Sequence, residues 1–336
     1  MPEAAEGFIM ADKVRWGVMG CGGIARKFIE DMPFVKDGVV AAVGSRSLDK
    51  AKEFAVQYGI PAAYGSYEQL AFCPDVDAVY IATPHPMHLA DAIMCIEAGK
   101  AVLCEKPITL NALQTKRMID AARAKGVFLM EAMWTRFVPA TVKMMELIKG
   151  GAIGHVNSAN IDFSYYIDIP DQHRLLNPEL GGGALLDIGI YVVSMASLVF
   201  GRQPQIIHGS AVLGSTGVDI NDSIIFDYGD GRIASLQCGC SSVTPIEAVI
   251  CGTGGFIRLE RPFYSSRKVT VFKPGSPAVY DVPANGCGYC YETQHVCECI
   301  KAGRTESDIM PLDETLEIMQ TLDRIRKPWG LVYPSE

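Results

Sequence analysis

The sequence has no long basic run and no uninterrupted apolar run close to membrane-spanning length. Its formal net charge of −8 disfavours a nucleic-acid surface and, more weakly, an anionic membrane. A bilayer-spanning helix needs about 20 apolar residues, so no such helix is predicted. Hydrophobic residues nevertheless make up 49% of the 336 residues, enough for full cores in one large or two medium domains. The composition therefore argues against nucleic acid and membrane as partners.

The first residues lack the features of an export signal. Met1–Glu6 is small and acidic, with neither a basic start nor an apolar stretch. We therefore expect a cytoplasmic protein. Met10 is an alternative start, because the first predicted strand begins just after it.

The eleven cysteines lack the paired spacing that zinc sites use. Cys287 and Cys290 form one C-x-x-C pair, with Cys297, Cys299 and His295 nearby, but no second pair follows. A zinc site and a redox pair are the alternatives to structural thiols. Most cysteines lie in apolar segments, which favours reduced, buried thiols, so no metal site is predicted.

A glycine-rich turn follows the first predicted strand, residues 14–20. The pattern GxGxxA then leads into a predicted helix, Ile24–Met32. In this motif the first glycine permits the tight turn, the second lets backbone approach a pyrophosphate, and the alanine keeps the helix close to the strand. The free N–H groups of the helix start can hold the anion. The motif predicts dinucleotide binding, against a plain glycine turn, through Gly20, Gly22, Gly23, Ile24 and Ala25.

The second predicted strand, Val39–Val43, ends without an acidic residue. NAD sites usually place an acid there to accept a hydrogen bond from the ribose 2′-hydroxyl, yet none occurs before Asp49. Ser45 and Arg46 instead suit a 2′-phosphate, because guanidinium pairs with phosphate through charge-assisted bonds. The sequence predicts NADP rather than NAD, the alternative being an exposed arginine that opens the next helix.

Strands and helices alternate regularly up to residue 132, which predicts a doubly wound parallel sheet. One strand, Ala101–Cys104, ends at Glu105 and Lys106. Ligands bind outside the carboxyl ends of such strands, so Lys106 is expected in the crevice rather than simply solvated. Another strand, Ala78–Ala82, ends in a run with two histidines, which are more often structural. The cofactor contacts expected at these two strand ends are Thr83, Pro84, His88, Glu105 and Lys106.

From residue 133 the alternation stops and strand-like segments joined by hairpin signals dominate. That pattern predicts an α+β domain, residues 133–336, with a large, mostly antiparallel open sheet after the Rossmann domain, residues 1–132. Trp134 lies at the junction and is expected near the cofactor and substrate, although packing explains it equally well. Tyr165, Tyr166, His173 and Arg174 occupy a polar loop that could reach the same cleft.

The order of the glycine motif, the histidine run Thr83–His88 and Glu105-Lys106-Pro107 resembles the glucose–fructose oxidoreductase, inositol dehydrogenase and MocA (Gfo/Idh/MocA) family. The resemblance covers essentially the whole chain. It is strongest to the branch of dimeric dihydrodiol dehydrogenases and NADP-dependent D-xylose 1-dehydrogenases. The segments that carry it are Lys52–Ala55, Ala63–Glu68, Ala101–Pro107 and Phe128–Phe137. The resemblance implies that the outer face of the second sheet forms a homodimer interface.

A glycine run, Gly181–Gly183, leads into an apolar helix that carries Asp187 and Tyr191. Four residues apart, these two share one helix face, where burying an acid and a phenol without purpose is costly. A capping aspartate and a packed tyrosine are the structural alternative. The family places a catalytic histidine four residues after the aspartate, and this chain has tyrosine there, as in the dihydrodiol dehydrogenase branch.

The predicted chemistry is proton transfer coupled to hydride transfer. Tyr191 is expected to move the proton, Lys106 to lower the pKa of its phenol and to bind the substrate oxygen, and Asp187 to orient the substrate or Lys106. Lys106 as the proton donor is the alternative.

The resemblance implies an NADP-dependent oxidoreductase acting on a sugar or a cyclic vicinal diol, with D-xylose-type aldose oxidation and trans-dihydrodiol oxidation as the nearest reactions. Keto-sugar reduction and a non-catalytic cofactor-binding regulator remain the alternatives.

Overall fold

Two β-sheets organise the chain. The computed structural model describes residues 13–336, and the two candidate starts, Met1 and Met10, lie outside the described residues. One sheet has six strands and the other eight. The candidate site lies where the helix behind the second sheet meets the strand ends of the first.

The first sheet is entirely parallel. Its strands are β1 (Val14–Met19), β2 (Gly38–Gly44), β3 (Ala62–Tyr64), β4 (Ala78–Ile81), β5 (Ala101–Glu105) and β6 (Leu129–Ala132). The spatial order β3-β2-β1-β4-β5-β6 reverses direction between β1 and β4. The crevice of a doubly wound sheet opens at such a reversal, so the predicted fold is confirmed with its binding edge beside β1 and β4.

Five helices connect these strands: α1 (Gly23–Asp31), α2 (Leu48–Tyr58), α3 (Tyr67–Ala71), α4 (His88–Glu97) and α5 (Ala112–Lys125). Side chains fix several helix starts, as when Asn111 accepts a hydrogen bond from the Gln114 amide. Every residue of β4 and β5 is buried, because helices cover both faces of the sheet.

The second sheet contains β7 (Val156–Ser164), β8 (Ile206–Leu213), β9 (Asp219–Asp227), β10 (Ile233–Gly239), β11 (Ala248–Gly252), β12 (Gly255–Leu259), β13 (Lys268–Phe272) and β14 (Ala278–Asp281). Its order is β14-β13-β12-β11-β7-β10-β9-β8. All neighbouring pairs are antiparallel except β7 and β10. The predicted mostly antiparallel sheet is confirmed, and β14 is an additional short edge strand.

Helix α6 (Pro139–Lys149) packs on β12 and β13. A π-helical turn (Leu185–Gly189) and helix α7 (Ile190–Phe200) pack on β7 and β10. Together with the preceding glycine run they form the stretch Pro178–Phe200, which is long and apolar enough to cross a membrane, with a mean hydropathy of 1.9. Because 89% of its most apolar 18 residues are buried inside the protein, this stretch is the core helix of the second domain.

The last two helices, α8 (Tyr289–Lys301) and α9 (Leu312–Arg326), return to the first sheet. Trp16 in β1 directs its indole N–H at Cys297 Sγ, 3.4 Å away. The buried carboxylate of Asp31 accepts hydrogen bonds from the four amides of residues 287–290 and so caps α8. The predicted domain boundary between residues 132 and 133 divides the chain by sequence. In space, the C-terminal helices α8 and α9 pack on the first sheet and not on the second sheet alone.

All eleven cysteines are free, and Cys297 and Cys299 of the cysteine-rich tail are buried in α8. Within residues 13–336, no three or more His, Cys, Asp or Glu side chains are grouped so as to hold a metal ion.

Candidate active site

The glycine-rich turn between β1 and α1 forms the floor of the crevice. Gly20 has φ +109°, and a Cβ there would come within 2.9 Å of the Ala82 carbonyl oxygen. A Cβ on Gly22 or Gly23 would meet no other atom within 4 Å, so this part of the turn is open to a ligand. Among residues 13–336 no side chain caps the start of α1, which leaves its first N–H groups available to an anion.

The end of β2 presents Ser45 and Arg46. Ser45 is buried and accepts a hydrogen bond from the Ser47 amide, whereas Arg46 is exposed. Arg46 lies beside Tyr67, where burial raises the pKa of the phenol and the guanidinium opposes that rise. Arg46 thus presents an exposed guanidinium at the end of β2.

The histidines after β4 differ in position. His88 is fully buried, with its ring nitrogens 2.9 Å from the Pro107 carbonyl oxygen and 2.8 Å from that of Thr83. His88 thus joins two strand-end loops from behind, rather than facing the crevice as expected. His85 Nδ1 lies 3.1 Å from the Gly181 carbonyl oxygen, and burial lowers the pKa of His85 to about 3, so its ring is neutral.

Lys106 bridges the two domains. Its Nζ donates to the main-chain oxygen of Asp187 at 2.6 Å and to Asp187 Oδ1 at 3.1 Å. The side chains of Lys106 and Asp187 are only 10% and 8% exposed, so this ion pair is largely shielded from water. Its position, the end of β5 at the crevice, is the one predicted from the sequence.

Asp187 has a second cationic partner, Arg174. The two guanidinium nitrogens lie 3.1 and 3.2 Å from the two carboxylate oxygens. Burial alone would raise the pKa of Asp187, but the charges of Lys106 and Arg174 outweigh burial and hold it well below its usual range. Asp187 is therefore ionised, and it contacts the ammonium of Lys106 through both its carboxylate and its main-chain oxygen.

Glu105 lies under the lysine. Its carboxylate takes a hydrogen bond from the Tyr80 hydroxyl and another from the Lys106 amide at 3.2 Å. Burial raises the pKa of Glu105, and these bonds oppose the rise. Glu105 is thus enclosed by protein beneath the crevice, although the sequence placed it among the cofactor contacts.

Tyr191 lies on α7, one turn beyond Asp187, and the indole N–H of Trp134 donates to its hydroxyl oxygen at 2.9 Å. An indole can only donate, so the tyrosine keeps its own proton free for another acceptor. Burial raises the pKa of Tyr191 well above the usual value for tyrosine, and the charge of Glu105 adds to the rise. Tyr191 is therefore protonated.

We expected the charge of Lys106 to lower the pKa of the Tyr191 phenol, but Lys106 does not lie beside the phenolic oxygen. Lys106 Nζ lies over the aromatic ring, 4.9 Å from its centroid, because Asp187 holds the ammonium there. The charge stabilises the ring face rather than the phenolate oxygen.

The glycine run makes room for this helix. Gly181 packs against His85 and Leu110, and a Cβ on Gly182 would lie 2.7–2.8 Å from backbone atoms of residues 174–177. The chain then enters the π-helical turn, a geometry that often marks functional sites in helices. Without side chains at these glycines, the loop that carries Arg174 lies directly against the helix that carries Asp187.

The comparisons with known proteins agree with this geometry. Residues 14–133 match the oxidoreductase family with an NAD-binding Rossmann fold, and residues 141–258 match the GFO/IDH/MocA C-terminal domain. The chain belongs to the Gfo/Idh/MocA oxidoreductase family. The resemblance stated from the sequence motifs is thereby confirmed.

Two curated relatives span nearly the whole chain. Trans-1,2-dihydrobenzene-1,2-diol dehydrogenase from Xenopus laevis is 40% identical over 333 residues, covering 95% of this chain and 99% of that protein. The Homo sapiens protein of the same name is 37% identical over 336 residues, covering 96% and 99%.

Solved structures of similar proteins share the two-sheet architecture. An aldose-aldose oxidoreductase from Caulobacter crescentus, complexed with glycerol, has a TM-score of 0.85 at 26% identity, covering 95% of this chain and 98% of that one. A 3-ketoreductase from Actinomadura kijaniata, in complex with NADP and TDP-benzene, has a TM-score of 0.82 at 26% identity, covering 94% and 97%.

Several residues beside this Gfo/Idh/MocA site carried no decisive sequence signal. Arg174 was one of four polar residues in its loop, and spacing did not single it out. The aromatic rings that surround Tyr191 and Trp134 come from distant parts of the chain: Phe163, Tyr264 and Tyr289. Trp134 itself stacks on Tyr289 at a ring-centroid distance of 4.7 Å, which fixes the indole that bonds Tyr191.

Proposed function

We propose that this chain is an NADP-dependent dehydrogenase that acts on a CH–OH group of a cyclic vicinal diol or a sugar. The observation that carries the proposal is the contact of Lys106 with Asp187 at the strand ends of the first sheet. The protonated Tyr191 lies next to this contact on the same helical segment as Asp187. A trans-dihydrodiol is the first candidate substrate, because relatives of that name match over nearly the full chain. An aldose is the second, given the structural similarity to an aldose-aldose oxidoreductase.

The residues present suit NADP. The open surface at Gly22 and Gly23 and the uncapped start of α1 would hold the pyrophosphate, while Arg46 would hold the 2′-phosphate. We propose that the nicotinamide lies near Thr83, Pro84 and Trp134. Thr83 is held by a hydrogen bond to Asp91, and Trp134 is held by its hydrogen bond to Tyr191. When bound, NADP supplies the hydride acceptor.

In the proposed mechanism Tyr191 moves the substrate proton. During carbonyl reduction it donates its proton to the substrate oxygen and becomes a phenolate. Alcohol oxidation is the reverse: Tyr191 first releases its proton to solvent, and the phenolate then accepts the proton of the substrate hydroxyl. Lys106 stabilises the negative charge that develops on the substrate oxygen. Lys106 is the alternative donor, because two of its three N–H groups bond Asp187 and the third has no acceptor among residues 13–336.

The test is turnover by the purified protein, followed by NADPH absorbance. We expect NADP reduction with trans-1,2-dihydrobenzene-1,2-diol, or with D-xylose and related aldoses. NADPH oxidation with a keto-sugar and none of these oxidations would support the alternative function as a keto-sugar reductase. Tight NADPH binding, measured by fluorescence, together with silence on every substrate would support a non-catalytic regulator.

We also propose a homodimer formed through the outer face of the second sheet. Apolar side chains remain exposed there on three adjacent strands: Ile206, Val212, Ile225 and Ile233. We expect Ile225→Asp to give a monomer in light scattering after size exclusion. Val56→Asp, on α2 of the first domain and 85% exposed, is the matched control and should leave the mass unchanged.

A cytoplasmic location is proposed on the basis of the eleven free cysteines, because a reducing compartment keeps thiols in this form. Fractionation of cells with an antibody against the native protein tests it. Enrichment in a secreted or membrane fraction would contradict the proposal.

A further inference from the structure

Two acidic side chains are buried behind the π-helical turn that carries Asp187. Asp219 and Asp222, on β9, are 0% and 1% exposed. Neither forms an ion pair with a basic side chain in the described part of the chain. A buried acid without a cation needs hydrogen bonds or a proton to compensate its desolvation.

Asp219 uses its carboxylate to hold the start of the π-helical turn. Oδ2 accepts a hydrogen bond from the Leu185 amide, and the Ala184 amide also supports the charge. Gly183, at φ +119°, makes this possible, because a Cβ there would overlap Asp219 Oδ1. The carboxylate therefore caps the helical segment that continues through Asp187 to Tyr191.

Asp222 supplies the proton of the pair. It lies opposite Cys238 on β10, whose thiol donates to Asp222 Oδ2 at 3.2 Å. Within residues 13–336 the Oδ1 atom of each carboxyl group is buried without a hydrogen-bond partner, which is costly for two charged carboxylates. Burial, and next the charge of Asp219, raise the pKa of Asp222 to about 9, so one proton is shared and one negative charge remains.

The link to the reaction runs through the backbone. The shortest contact of Lys106 is with the main-chain oxygen of Asp187, two residues beyond the amide that Asp219 binds. A shift of this turn would move the oxygen, and with it the ammonium that faces Tyr191.

We propose that Asp219 is a positioning residue, because its carboxylate fixes the turn that holds Lys106. The inference rests on the proposed function for its link to turnover, but its structural part does not. Tyr333 and Cys240 are the other titratable groups beside the pair, and neither forms a hydrogen bond to either carboxyl in the described chain.

Three variants test it, Asp219→Ala, Asp219→Asn and Asp222→Asn, with Asp227→Asn at the far end of β9 as control. Amide hydrogen exchange of residues 184–187 is compared with that of β4, and kcat and KM are measured with NADP. We expect Asp219→Ala to speed exchange at residues 184–187 alone and to lower kcat at least about tenfold, with NADPH affinity unchanged. Asp219→Asn should recover part of the loss, because its amide oxygen still accepts from Leu185. Asp222→Asn keeps a neutral side chain at position 222, so exchange at residues 184–187 should match that in Asp227→Asn, and faster exchange would refute the role given to the Asp222 proton.

Normal exchange at residues 184–187 together with wild-type kcat in Asp219→Ala would overturn the inference. If Asp219→Ala fails to fold, Asp219→Asn decides: faster local exchange and a lower kcat than in Asp227→Asn support the role, and values equal to the control reject it. Should the wild-type protein turn over no diol or sugar, the proposed function fails, while the exchange comparison still decides the position of this cap.

Discussion

The ammonium of Lys106 lies 2.6 Å from the main-chain oxygen of Asp187, so a side chain at the end of one sheet is held by the backbone behind the other. Because the contact is to backbone, no substitution at position 187 removes it directly. The orientation of Lys106 therefore depends on the path of the π-helical turn as well as on the Asp187 carboxylate.

Replacing Tyr191 with phenylalanine removes the protonated hydroxyl and leaves the ring in place. We expect kcat to fall by about 10²- to 10⁴-fold, the range for loss of a general acid or base. NADPH affinity, measured by fluorescence titration, should not change. Tyr166→Phe, on an exposed loop, is the control, and full activity in Tyr191→Phe would assign the proton to Lys106 instead.

Replacing Arg174 with glutamine removes one of the two cations beside Asp187. Because Arg174 helps to hold the pKa of Asp187 well below its usual range, that pKa should rise in the variant. The activity lost as the pH falls through protonation of Asp187 should then begin at higher pH. The pH profile of kcat measures this, with Arg304→Gln as a surface control, and superimposable profiles would contradict it.

Replacing Arg46 with leucine removes the guanidinium proposed to bind the 2′-phosphate. Loss of a charge-assisted hydrogen bond costs about 1.5–3 kcal/mol, which corresponds to a rise of about 10- to 150-fold in the KM for NADP. The KM for NAD should stay unchanged. Lys52→Leu, on the exposed face of α2, is the control, and an unchanged KM for NADP in Arg46→Leu would refute the assignment.

Replacing Glu131 with glutamine changes how stability depends on pH. Glu131 is buried in β6 and accepts a hydrogen bond from the Ile108 amide at 3.0 Å. Burial raises the pKa of Glu131 to about 7, above the 4.5 of an exposed glutamate. The stability associated with its proton is therefore complete below the lower value and is lost as the pH rises through the higher one.

The shift corresponds to on the order of 3 kcal/mol of unfolding free energy between the two pKa values. The unfolding free energy of Glu131→Gln relative to that of wild type should therefore be higher at about pH 8 than at about pH 4, by on the order of 3 kcal/mol. Urea unfolding at both pH values measures the gain. Glu146→Gln, 60% exposed on α6, should show none, and parallel curves for Glu131→Gln and wild type would show that Glu131 does not titrate in this way.

The fold of the first domain and the position of Lys106 follow from local patterns. Continuous apolar strands between amphipathic helices specify a parallel sheet, and the carboxyl end of a strand specifies the crevice. The return of α8 to Trp16 was not predictable, because Trp16 and Cys297 are separated by 281 positions and periodicity carries no information about such a pairing.

The sequence indicated which residues lie together at the candidate site, but not the protonation states that their contacts produce. The spacing of Asp187 and Tyr191 predicted that they share one helix face. The direction in which the pKa of Tyr191 shifts, however, depends on where the Lys106 ammonium lies relative to the phenolic oxygen. That position is set by Asp187 and Arg174, and the latter comes from an irregular loop. Likewise His88 has the residue type and strand-end position of a ligand contact, but its ring points inward to two carbonyl groups, which only the loop geometry reveals.

The return of the last two helices has a consequence for biosynthesis. During translation the chain emerges from its N-terminus, and domains generally fold as they appear. Here Asp31 and Trp16 form hydrogen bonds with residues 287–297, which are synthesised at least 256 residues later. The nucleotide-binding half therefore cannot reach its final packing while the ribosome still holds those residues, so the first sheet is covered only after every strand of the second sheet has been made.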